Sequence, residues 1–92
     1  MAKIYIAGKI TGDPNYKETF EAAADCLRSN GDVVLTPCFL PDGMSMADYM
    51  RICLAMIDCC DSVFFLPNWQ DSEGARVEHA YCKKCGKHII VD

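Results

Sequence analysis

Four short β-prone runs alternate with three stretches of helical periodicity, and this alternation limits the fold more than any other feature of the chain. Lys3 to Ala7 (Lys-Ile-Tyr-Ile-Ala) reads as a strand that ends at Gly8, and Gly12-Asp13-Pro14 reads as a turn. Asp13 can cap a helix and Pro14 can sit in its first turn. Tyr16, Phe20, Ala23 or Ala24 and Leu27 then recur at helical spacing, which predicts a helix over residues 14 to 29. Asp32 to Thr36 carries Val-Val-Leu, a second strand stopped by Pro37, and a long loop runs on to Gly43. Ser45 followed by Asp48 resembles a capping box. Met46, Tyr49, Met50, Cys53, Leu54 and Ile57 give the helix that follows a broad apolar face up to about Ile57. The stretch from Asp61 to Pro67 is nearly continuously apolar from Val63 to Leu66, as suits a central strand buried on both faces. Ser72 offers a cap and Glu73 a first-turn carboxylate, with Ala75, Val77, Ala80 and Tyr81 forming a helical face. Lys83, Lys84, Gly86 and Lys87 mark that helix's end, and Ile89-Ile-Val91 forms a fourth strand.

Three helices between four strands predict right-handed crossovers, and with them a parallel sheet covered on both faces. Such sheets bind ligands beyond the carboxyl ends of their strands, so the site is expected in the loops after Ala7, Leu35 and Leu66. The 92 residues suit one domain, expected to span 1–92, and a chain this short favours self-association into a dimer or higher homo-oligomer. A formal charge of -4 with dispersed lysines and arginines supplies no basic stripe for a nucleic-acid polymer. No apolar run is long enough to span a bilayer, and the first residues lack a signal peptide's apolar region, so a soluble, cytoplasmic protein is expected.

Seven cysteines form an odd set, and Cys26, Cys53, Cys59, Cys60 and Cys82 fall in helical patterns, which predicts free thiols, most of them buried, in place of a disulfide framework. Cys82-Lys-Lys-Cys85 with Cys59 and Cys60 is a weak zinc pattern, because the first pair lies in the last turns of a helix and the second pair is adjacent. His79 and His88 have no ligand spacing and read as surface residues. Neither metal nor cofactor is expected.

Two loops carry polar groups. Gly8-Lys9-Ile10-Thr11-Gly12 lets a backbone approach closely and offers an ammonium and a hydroxyl to an anion, yet it is too short for a Walker A loop and also fits an ordinary strand-to-helix turn. Between Leu66 and Glu78, Ser72 and the unpaired amides of a helix start can meet an anion or a sugar hydroxyl, and Gly74 removes a side chain where a ligand would approach. Glu78, one turn after Gly74 and Ala75, is either a solvated helix glutamate or a reachable carboxylate. Close to the helix start it would tend to stay ionised, as suits attack on an anomeric carbon. Tyr5 reads as a core tyrosine from its place in the strand alone, and Trp69 as either an aromatic wall for a base or an oligomer contact.

Ile4-Tyr-Ile-Ala-Gly8, Asp61, Pro67-Asn-Trp69 and Ser72-x-Gly-Ala-x-x-Glu78 together resemble the nucleoside 2-deoxyribosyltransferase superfamily, including its 2'-deoxynucleoside 5'-monophosphate N-glycosidase branch, over nearly the whole chain. The resemblance implies a small three-layer α/β fold, flavodoxin- or Rossmann-like, with parallel strands in the order 2-1-3-4. It makes Glu78 the nucleophile that takes the deoxyribosyl group and Tyr5 the residue that positions it. Gly8, Lys9, Thr11, Gly12, Ser72 and Gly74 would bind the sugar and its phosphate, and Trp69 would pack near the base. The substrate is then a small nucleoside or nucleotide. Serine at position 72 leans toward phosphorylated substrates, because free-nucleoside enzymes of the family more often carry aspartate there. Cys53 stands where the family generally has an aspartate that works on the leaving base; a thiol is a poorer acid for that task, and Asp48, Asp58 or Asp71 would have to reach the pocket to replace it. Family enzymes also continue into a further element that can complete a neighbour's pocket, so with Asp92 last in this sequence a shared site would use other surfaces.

Overall fold

The computed structural model describes residues 1–91; Asp92, the last residue of the expected domain, lies outside them. Strands β1 (Lys3–Ala7), β2 (Val33–Leu35), β3 (Ser62–Phe65) and β4 (His88–Val91) form a parallel sheet in the order β2-β1-β3-β4. Helices α1 (Tyr16–Ser29), α2 (Met46–Asp58) and α3 (Glu73–Cys85) make the connections. The register pairs Tyr5 with Leu35 on one side and with Val63 on the other, so β1 and β3 are the two inner strands.

Side-chain hydrogen bonds fix the start of β1. Asp61 accepts the Lys3 N–H at 2.9 Å, and Asp32 accepts the Ala2 N–H at 3.2 Å, so each neighbouring strand is locked at the register that the sheet requires. The two faces then fill separately. Tyr5, Ala7, Val63 and Phe65 point to one side and pack with Cys53, Ile57 and Cys82 of α2 and α3. Ile6 and Leu66 point to the other and meet Phe20 and Ala24 of α1. Alternation along a strand sends neighbours to opposite faces, which is why apolar runs rather than alternating ones mark the inner strands.

The helix caps follow the sequence pattern at α2 and α3. Ser45 accepts the Asp48 N–H and Ser72 accepts the Ala75 N–H, each at 3.1 Å, and Gly86 ends α3 with φ 72°. At α1 the structure departs from expectation. Asp13 accepts the Asn15 N–H at 2.9 Å and holds residues 13 to 15 as a turn, so the helix starts at Tyr16 rather than at Pro14. Two short 3-10 turns, Pro37–Phe39 and Trp69–Asp71, lie within stretches read as loops.

All seven cysteines are free thiols. Cys53, Cys60 and Cys82 are buried while Cys26, Cys59 and Cys85 are exposed, so burial of most of them does not hold. Cys59 and Cys60 lie past the end of α2, where Lys87 donates to the carbonyls of Asp58 and Cys60 at 3.2 and 2.7 Å. Among the described residues no helix is long and apolar enough to cross a membrane, and no group of three or more potential ligands is placed to hold a metal ion.

Candidate active site

A pocket of about 530 Å³ opens at the carboxyl ends of β1, β2 and β3, in the three loops where the topology calls for it. Its floor is Glu78. Although on a helix, Glu78 is only 4% exposed, because α3 lays this turn against β1 and α2. The Tyr5 hydroxyl donates to Glu78 Oε2 at 2.7 Å, joining groups 73 residues apart in sequence. Tyr5 is wholly buried in the core, as its place in the strand predicts, and it also borders the pocket. The solvated-glutamate reading of Glu78 does not hold.

Burial sets the charge state of this pair. Desolvation lifts the Glu78 carboxyl from its ordinary 4.5 to about 7, against the opposing pull of hydrogen bonds from Tyr5 and Cys53. The expectation that the helix start keeps Glu78 ionised is thereby corrected: α3 begins at Glu73, so the carboxyl lies in the second turn, where the terminal charge effect has faded. The Tyr5 hydroxyl is pushed up in turn, first by its own burial and then by Glu78, which keeps it a hydrogen-bond donor. The Cys53 thiol beside them rises to about 11, chiefly through burial, so it stays a neutral donor and is slow to give up its proton.

Gly8, Lys9, Thr11, Ser72 and Gly74 line the pocket. Gly8 is constrained by the protein itself, since a Cβ there would stand 2.7 Å from Leu66 Cδ1. A side chain at Gly74 would meet Met50 Cε at 3.4 Å. Gly12, with φ 84°, shapes the loop but does not line the pocket. Trp69 is also outside the lining. Its indole stacks on the His79 ring at 4.2 Å and meets Phe65 edge-on at 5.4 Å, which leaves His79 half-buried and not a surface residue. This stack joins the 3-10 turn after β3 to α3, and no pattern within either segment announces it.

Of the three aspartates that might stand in for the missing acid, only Asp71 reaches the pocket. Asp58 accepts the Tyr81 hydroxyl at 2.6 Å, and Asp48 pairs with Arg51 at 3.2 Å. Asp42, which the sequence reading passed over, lines the pocket from the loop after β2. Tyr49 holds that loop, accepting the Met44 N–H at 3.4 Å and donating to the Pro41 carbonyl. Tyr49, Met46 and Met50 lie on the helix face read as core; the outer end of that face instead forms the apolar wall of the pocket.

Residues 2–91 match the family model described as a domain of unknown function, DUF4406. The chain belongs to that family. In structure it is similar to a 2-desoxiribosyltransferase from Leishmania mexicana, with a TM-score of 0.76 and 21% identity over 99% of this chain. The match spans 63% of that protein's chain, and at this identity the likeness establishes the DUF4406 member's fold. No curated protein matches the sequence.

Proposed function

We propose that this protein cleaves or transfers the N-glycosidic bond of 2'-deoxynucleosides or their 5'-monophosphates. The observation that carries this reading is the buried Glu78 carboxyl held by the Tyr5 hydroxyl at the floor of a pocket with an apolar wall of Met46, Tyr49 and Met50. A carboxylate in that position can attack C1' and form a glycosyl ester, as the bond to the base breaks and its electron pair leaves on the base nitrogen. Water or a second base then attacks C1' and restores Glu78. Ser72, Gly74, Lys9 and Thr11 would surround the sugar, and Met46, Tyr49 and Met50 would face the base. The cavity volume suits one nucleoside. The fold shared with a 2-desoxiribosyltransferase supports the same reading.

The test is to incubate the protein with the deoxynucleosides and their 5'-monophosphates, with and without a free base, and to follow base release or exchange by chromatography. Turnover lost in Glu78→Ala supports the mechanism. Full activity in that variant overturns it.

A nucleotide-binding module without efficient chemistry is the second reading, and Cys53 favours it. With its thiol pushed up to about 11, this residue is ill suited to protonate a departing base. If acid catalysis is what the pocket lacks, Cys53→Asp will raise base release above the wild-type rate; a fall in the rate would implicate the thiol itself.

A further inference from the structure

The proposed reaction leaves open whether the sugar carries a 5'-phosphate, and the charges around the pocket bear on this. Among the described residues, Lys9 is the one cation of a lining that also includes Asp42, Asp71, Glu73 and Glu78. Asp71 and Glu73 flank Ser72 at the start of α3, where a phosphate would gain most from free N–H groups and the partial positive charge of the helix. Those donors are partly used. Ser72 Oγ takes the Ala75 N–H and the Trp69 carbonyl takes the Ser72 N–H, each at 3.1 Å. The Arg76 guanidinium, outside the lining, donates to the Gln70 carbonyl at 2.8 Å.

The loop after β1 is depleted in the same way. The Lys9 N–H donates to Asn68 Oδ1 at 3.3 Å, and the lysine stem lies over Gly12, its Cε 3.8 Å from where a Cβ would stand. A phosphate arriving here would find one ammonium and one hydroxyl against a surplus of carboxylates. An uncharged 5'-hydroxyl meets no such field, and carboxylates can accept its hydrogen bond.

We infer that Asp71 and Glu73 are specificity-determining residues that turn the site toward an uncharged sugar, so that deoxynucleosides are taken in preference to their 5'-monophosphates. The inference rests on the glycosidic reading above, and it runs against the preference for phosphorylated substrates that Ser72 suggested.

The experiment compares kcat/KM for each deoxynucleoside and its 5'-monophosphate, at low and at raised salt, in the wild type and in the Asp71→Asn, Glu73→Gln double variant. Both side chains are exposed, so folding is not at stake. The nucleoside should lead by at least about tenfold at low salt, and the lead should shrink as salt screens the carboxylates. In the double variant it should shrink through a gain in the monophosphate. A wild type that uses the monophosphate equally well or better, or a double variant with an unchanged ratio, overturns the inference. If the wild type turns over neither substrate, the glycosidic reading has failed. The charge preference is then decided by calorimetric Kd values for the same two ligands, with tighter monophosphate binding overturning it.

Discussion

Burial favours the neutral form of both Glu78 and Tyr5, and the pH dependence of the protein follows from it. Attack on C1' needs the ionised carboxylate, so kcat/KM should rise with pH along an acid limb centred near 7. Tyr5→Phe removes one of the two donors that hold the carboxyl down. The limb should move to higher pH and the plateau should fall roughly 10- to 100-fold; a limb that stays in place would separate Tyr5 from the charge state of Glu78. The same carboxyl affects stability. Its folded value lies above its unfolded one, so the folded state binds the proton more tightly. That contribution is complete below pH 4.5, fades as pH rises, and is gone above about 7. Glu78→Gln has no such pH-dependent loss. It should therefore melt at a higher temperature than the wild type at pH 8, by an amount corresponding to roughly 3 kcal/mol at most. Near pH 4.5 the two melting temperatures should converge, and parallel melting curves across this range would show that Glu78 does not titrate as its burial requires.

The elements divide the labour of building the pocket. β1 supplies Tyr5 and, one residue past its end, Gly8; the Leu66 N–H then donates to the Ala7 carbonyl at 2.9 Å, continuing the pairing with β3 just where Gly8 must remain bare. Gly8→Ala would press a methyl group into a buried leucine. It should cost roughly 1–3 kcal/mol of stability, read from urea unfolding, and should impair the site through displacement of the β1 loop. Gly74→Ala meets only the flexible end of Met50 and should lose markedly less stability. These two glycines looked alike in sequence, both as places for a ligand to approach, because only the tertiary neighbour tells them apart. Local chemistry was legible where it acts locally. The Ser45 and Ser72 caps, the Gly86 stop and the four strands all follow from short-range pattern, and the order β2-β1-β3-β4 from the family resemblance. The start of α1 departs from its local pattern because Asp13 closes a turn on Asn15 before the helix begins.

At the scale of the molecule, the site is an assembly of distant segments, and this explains what the sequence left hidden. Glu78, Ser72 and Gly74 could be read from one motif, whereas the burial that moves the Glu78 carboxyl, the Trp69–His79 stack and the arrival of Asp42 each depend on chain segments meeting in space. The accessible surface, 5350 Å², is close to the roughly 5300 Å² that a compact chain of 10.2 kDa exposes, so the fold is as compact as its size allows. Because the lining draws on the loops after three strands and on both α2 and α3, a ligand that fills the pocket bridges most of the fold. Binding should then stabilise the molecule as a unit rather than one loop. At a nucleoside concentration about 100 times Kd, mass action gives roughly 2.7 kcal/mol of added stability. Hydrogen exchange should show that protection reaching amides of β1 and β3 along with those of the surrounding loops. Slowed exchange confined to residues 8–12, with the strands unchanged, would mean that the ligand sits on the β1 loop alone and that the pocket is not one cooperative site.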